Sequence, residues 1–268
     1  MSPKGQAEHL IGQGAMLIDY EARHVGPFDT GLFLKSDGSG GLTPVMGQWG
    51  MIRKGQGGRI EYKERPARKL GAPPIKVPML KNNARVETVH SSPAFRDAWR
   101  TGQRCLIPAS WLQEPNWETG KCIWWHLARA DQLPWMIAGI YAEWADPESG
   151  QLIPNYAMLT LNVNAHPLLS RLHKPEKDLK TGEMLPFVRQ DKRGEAHIGT
   201  ADFGAWLHAT KLRRARCWWR RRLRCSTLAS SGRPTRFLRD WPRRLLMGPD
   251  TSGAGAASVT IRHHQDCR

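Results

Sequence analysis

An α+β fold built mainly from antiparallel strands is what this sequence predicts, and three observations predict it. Ile123 to Leu127, Trp135 to Trp144 and Asn155 to Leu161 are short runs rich in Trp, Ile, Tyr and Thr, the residues that suit a pleated, half-buried surface. Each run is bounded by Asp, Pro, Gly or Asn, which punctuate turns. Only two segments carry a helical pattern, so the chain lacks the strand–helix alternation of a parallel sheet.

Taken in order, Gly38-Ser39-Gly40-Gly41 reads as a turn, because neither a helix nor a Lys-Ser/Thr pair follows to make it a phosphate loop. The segment from Gly55 to Asn82, with its Gly, Lys, Arg and Pro, reads as a long loop of the kind that often carries function. Ser92 caps a helix that has Pro93 in its first turn, Phe95 and Trp99 on one face and Gly102 as its stop. From Arg104 an apolar strand ends on Glu114, one carboxylate beside Trp111 and Leu112. Desolvation there raises its pKa toward the range where it both gives and takes a proton. The three strand runs then form an antiparallel meander, with Asp146-Pro147-Glu148-Ser149-Gly150 as a hairpin turn. A second helix starts near Thr200, stacks Phe203, Trp206 and Leu207, and ends near Thr210.

Charge divides the chain there. Residues 211–268 carry 15 Lys and Arg against 3 Asp, twelve of the sixteen net positive charges. A basic arm with Trp218, Trp219 and Trp241 interleaved would suit nucleic acid. A shifted reading frame accounts better for so abrupt a change, since Lys211 to Ala229 then encodes a short helix, a Pro pair and a strand. We therefore expect a globular domain over 1–210 and a disordered tail over 211–268, and do not read the basic charge as evidence of DNA binding. No apolar run approaches the ~18 residues of a membrane span and no signal peptide is visible. Cys105 and Cys122 lie outside the tail and read as reduced strand residues of a cytoplasmic protein. His166 and His173 are off helical register without an acidic or thiol partner at zinc spacing, so neither a metal nor another cofactor is expected. Ser92, Ser110 and Ser170 lack an elbow or a nearby base. Trp111, Trp117, Trp124, Trp125, Trp135 and Trp144 read as core, with Trp49 the exception.

Five ordered motifs resemble the SRAP family of abasic-site processing proteins, also called SOS-response-associated peptidases. They are Trp49-Gly50-Met51-Ile52, Asn83-Ala84-Arg85 with Glu87, Phe95-Arg96 with Arg104-Cys105-Leu106-Ile107-Pro108-Ala109 and Glu114, Ala138-Gly139-Ile140-Tyr141 with Trp144, and the late His173. The resemblance implies one SRAP-type domain whose antiparallel strands curve into a barrel-like core with a groove for single-stranded DNA. It also implies a function: covalent capture of abasic sites through an N-terminal Cys, after autoproteolytic removal of the initiator Met. Glu114 would shuttle protons, His173 would protonate the opening sugar and Asn83 would position the terminal residue. Trp49, Arg85 and Lys174 would contact DNA, Arg85 by clamping a phosphate. The partner implied is single-stranded DNA containing abasic sites, bound by a monomer near the nucleoid.

The departures define the alternatives. The chain opens Met1-Ser2 and its first Cys is Cys105, and a Ser hydroxyl cannot replace a thiolate as nucleophile. A start codon assigned too late is the expected cause. If Ser2 is the true terminus, the same groove serves a binding module without capture chemistry, and the change after Thr210 also fits the product of a damaged gene. Lys174-Pro175-Glu176-Lys177 replaces the family's acidic-Arg-Met-Pro after the His, leaving Lys174 as the phosphate contact there.

Overall fold

The computed structural model describes residues 24–67, 69, 71–129 and 134–209. Eleven strands dominate the described residues: β1 Thr30–Ser36, β2 Leu42–Trp49, β3 Tyr62–Arg65, β4 Ile75–Pro78, β5 Asn83–Arg85, β6 Arg104–Ala109, β7 Trp111–Asn116, β8 Ile123–Ala128, β9 Trp135–Ala145, β10 Leu152–Asn162 and β11 Arg193–Glu195. Two short helices accompany them, α1 Arg96–Arg100 and α2 Phe203–Leu207. The main sheet runs β10-β2-β1-β6-β9 and returns to β10, closing into a barrel that β11 and β5 extend along β10. The predicted α+β architecture with a barrel-like core is thus what the chain adopts. Closure gives each of those five strands a neighbour on both sides, which shortens the free edge available to template association.

One seam of the barrel is parallel. β10 meets β2 through only Asn155↔Gln48 and Tyr156↔Trp49, whereas β9 and β10 run antiparallel over seven residue pairs. The short seam is reinforced from the Trp49-to-Ile52 stretch. Gly50 N donates to Tyr156 O at 2.8 Å and Met51 N to Lys81 O at 3.0 Å, while the fully buried Asn155 takes Ile52 N on its Oδ1 at 3.0 Å. The Trp49-to-Ile52 stretch thereby staples the seam. Gly47 sits against it, where a Cβ would lie 2.7 Å from the Pro154 carbonyl oxygen and 2.9 Å from a Phe33 ring carbon. Backbone cannot yield as a flexible side chain would. Gly47→Ala is therefore expected to cost about 1–3 kcal/mol in urea denaturation, and a cost near zero would show that the seam is slack.

The structure corrects several sequence expectations. Ile123–Ala128 does not join the meander: it pairs with β7 in a separate hairpin, Glu114 opposite Trp125, because both edges of β9 are taken by β6 and β10. The apolar run from Arg104 breaks at Ser110, so Glu114 lies inside β7 rather than at a strand end. Ser92 caps by backbone only, its carbonyl accepting from Phe95 N and Arg96 N, and the α-helix proper spans Arg96–Arg100. Within Gly55 to Asn82 the outlying β3–β4 hairpin is ordered. The turn expectations hold: Asp37 Oδ1 takes Ser39 N and Gly41 N at 2.8 and 2.9 Å, and Asp146 N bonds to Gln151 O at 2.9 Å. The tail from Lys211 and the opening Met1-Ser2 lie outside the described residues.

Candidate acid–base site

The β7–β8 hairpin folds over the barrel mouth and shapes a cavity of about 440 Å³. Trp49, Tyr156 and Met158 from the barrel, Trp111, Glu114 and Trp124 from the hairpin, and Glu195 from β11 all line it. Residues 24–27 border the same cavity, where His24 Nε2 meets Gln113 Oε1 at 3.1 Å. Trp135 and Trp144 are core residues, 3% and 4% exposed, but Trp111 and Trp124 are each 37% exposed. Correcting the core assignment for those two, they stand as an aromatic wall, with Trp111 stacked on His126 at 4.3 Å.

At the cavity's polar end Glu114 is 8% exposed. Burial, then the adjacent charge of Glu195 and a hydrogen bond with it, push the Glu114 carboxyl up to about 11. Two carboxyls this close in a dry site do not both ionise, and Glu114 is the one that keeps a proton. His173 Nε2 lies 3.1 Å from Glu114 Oε2 and 2.8 Å from the Arg193 carbonyl. A carbonyl only accepts, so Nε2 carries the ring hydrogen and Nδ1 is left as the acceptor of the neutral imidazole. Burial, more than any neighbour, lowers the His173 pKa. The expectation of an imidazole near its unperturbed value is thus corrected toward the neutral form, and the proton available at neutrality sits on Glu114.

His173 holds a left-handed backbone at φ 62°, a conformation that costs a non-glycine residue of order 1 kcal/mol or more. Its surroundings fix it there. His173 N donates to Pro115 O of β7 at 2.7 Å. Lys192, 6% exposed, donates its Nζ to Leu172 O and His173 O at 2.8 and 2.7 Å. The imidazole is thereby tied to the strand that bears Glu114 and to the entry of β11.

The other predicted residues are more dispersed. Trp49, half-buried, lines the cavity and donates its indole N–H to Asn82 O at 3.1 Å. Asn83 is exposed on β5 with its Oδ1 accepting from Asn82 Nδ2 at 3.2 Å; its register partner is the cavity residue Met158. Arg85 is not an open clamp: its Nη1 is 2.7 Å from Asp191 Oδ2, which also pairs with Arg193 at 3.1 Å. Lys174 is exposed, its ammonium 5.0 Å from the Trp117 ring centre. Among the described residues no group of three or more His, Cys, Asp or Glu is arranged to hold a metal ion, and no helix is long and apolar enough to cross a membrane.

Glu195, Lys192 and Arg193 were missed. They sit in Gln190-Asp191-Lys192-Arg193-Gly194-Glu195, whose charge density reads as a solvated loop. The only local hint is Gly194 and Ala196 around Glu195, small residues that permit close approach. A Cβ on Gly194 would meet Val163 and Leu169 at 2.9 and 3.0 Å.

Residues 35–215 match the family described as SOS response associated peptidase (SRAP). A solved structure from Bordetella bronchiseptica is 29% identical over 70% of this chain and 79% of that one, with a TM-score of 0.51. A phage-related protein from the same organism is 16% identical over 80% of this chain and 82% of that one, with a TM-score of 0.47. No curated protein matches the chain.

Proposed function

Because the chain belongs to the SOS response associated peptidase (SRAP) family, whose theme is abasic-site DNA damage, we propose that it binds single-stranded DNA at the Glu114 cavity and captures the aldehyde of an abasic sugar there. The observation that carries this reading is a buried carboxyl, its pKa raised by burial and by Glu195, with an imidazole 3.1 Å away, on a cavity walled by exposed indoles. Bases flanking an abasic gap have faces to stack on such a wall, at ~1–3 kcal/mol per base. Asn83, Arg85 and Lys174 lie outward of it as backbone contacts, Arg85 exchanging its Asp191 partner for a phosphate.

The chemistry follows from the proton inventory. A terminal amine attacks the aldehyde carbon to give a carbinolamine. The hydroxyl of that adduct leaves as water once it takes a proton, and Glu114 holds one at neutrality. His173, neutral and with its Nε2 hydrogen held by Arg193 O, offers Nδ1 as the acceptor for the anomeric hydroxyl during ring opening. With an N-terminal cysteine, Sγ then adds to the imine carbon while the thiol proton moves to nitrogen, closing a thiazolidine. The same Glu114–His173 pair would serve removal of the initiator Met.

The test uses single-stranded oligonucleotide with and without one abasic site. A chain ending in Ser2 is expected to give an adduct only when borohydride is present, and a chain with cysteine exposed by loss of Met1 an adduct without reductant. Absence of abasic-selective adduct from both overturns the reading. The rate is further expected to rise with pH through about 8 as the α-amine loses its proton. No fall should accompany this in the ordinary carboxylate range, because Glu114 keeps its proton to well above neutrality.

A further inference from the structure

Strand β11 contributes only three residues to the sheet, yet it touches both halves of the acid–base pair. Its Arg193 carbonyl takes the His173 Nε2 hydrogen at 2.8 Å. Two residues on, Glu195 is 6% exposed, lines the cavity and hydrogen-bonds the Glu114 carboxyl. Glu195 stands opposite Thr160 of β10, so the barrel fixes its depth. We propose that Glu195 is the positioning residue of this site, accepting the Glu114 proton's hydrogen bond and holding that side chain against the His173 imidazole.

Electrostatics gives the arrangement its purpose. A lone buried Glu would be neutral but free to choose its rotamer. A second carboxyl that carries the charge of the pair supplies the acceptor that orients the proton and penalises its loss. Among the described residues the groups facing the pair are few. His173 approaches from the segment after Leu172, and the Lys192 ammonium is engaged by the Leu172 and His173 carbonyls. The Arg193 guanidinium is turned away to Glu87 and Asp191. From the hairpin side the neighbour across from Glu114 is Trp125. Of these groups it is the Glu114 carboxyl that hydrogen-bonds Glu195.

This inference rests on the capture reading, and the experiment separates the two. Full chains with an exposed N-terminal cysteine are compared as wild type, Glu195→Gln, Glu195→Ala and Glu114→Gln, by single-turnover capture across pH and by affinity for the oligonucleotide before crosslinking. Glu195→Gln retains an acceptor but no charge, so the limb on which Glu114 loses its proton is expected to move down by about one pH unit or more. It should stay above the ordinary carboxylate range, because burial, the larger cause, remains. Glu195→Ala is expected to slow capture about tenfold or more at neutral pH with oligonucleotide affinity unaltered, a split that a merely structural defect would not give. Infrared titration of the protonated carboxyl band reads the same limb without turnover. The band should be lost from Glu114→Gln and should disappear at lower pH in Glu195→Gln, so a variant too slow to assay still reports. Wild-type rate and limb in Glu195→Gln, beside a slow Glu114→Gln, overturn the role of Glu195 and leave the capture reading standing. Wild-type rates in all variants sink the capture reading itself.

Discussion

Glu114→Gln is expected to slow capture of an abasic aldehyde about 10²–10⁴-fold, the span of a positioned general acid, while making the folded protein more stable at neutral pH. The amide matches the carboxyl in shape and its N–H still reaches Glu195, but it cannot release a proton to a departing hydroxyl. An effect below about tenfold would reduce Glu114 to a structural residue and remove the basis of the site assignment.

The stability half of that prediction follows from the sign of the shift. Glu114 is raised in the folded state to about 11, whereas in the unfolded chain it titrates near 4.3. Between those values the unfolded state gives up a proton that the folded state keeps, so stability is greatest below the unfolded pKa and falls as pH rises toward the folded one. Glutamine has nothing to titrate. The variant should therefore gain about 1–3 kcal/mol over wild type near pH 7, with the gain shrinking as pH drops toward about 5, read by urea denaturation at each pH. A pH-independent difference would mean that Glu114 is charged in the fold. Loss of function with gain of stability is the expected mark of a strained active site.

How much of this was legible in the sequence depends on whether the information is local. Asp146 to Gly150 carries its turn chemistry in adjacent residues, and Phe95 with Trp99 carries helical spacing, so both were readable. Pairing partners are not local. Ile123–Ala128 has the composition of a barrel strand, and only the occupancy of both β9 edges sends it to β7. Glu114 stood out because apolar neighbours flank it in sequence, and His173 through the motif resemblance. Glu195 could not, since its burial is created by Glu114, His173 and the cavity, all distant along the chain. Arg85 shows the converse: its charge was evident, but the Asp191 that occupies it comes from across the sheet. Sequence thus exposes the groups that carry chemistry more readily than the groups that hold them in place.

Trp206→Ala is the substitution expected to cost the fold most, about 3–5 kcal/mol, against a total stability of ~5–15 kcal/mol for a domain. Trp206 is 1% exposed and its indole N–H donates to Cys105 O of β6 at 2.8 Å. Its ring lies 6.3 Å from that of Trp99 in α1, and the guanidinium of Arg104 is 5.4 Å from it and 3.9 Å from Trp99. Arg104 is itself 3% exposed, donates to Ala98 O and Trp99 O, and is lowered to about 10 by burial. Truncating Trp206 removes a large apolar surface and also one wall of the dry sandwich around a buried cation, a cost that burial area alone understates. Trp206→Phe keeps the wall and loses the N–H, so about 1 kcal/mol is expected from the unmade hydrogen bond. The site should feel the larger change, because β6 runs directly into β7 and Glu114. Urea denaturation that finds Trp206→Ala within about 1 kcal/mol of wild type would make α2 an appendage of the barrel rather than part of its core.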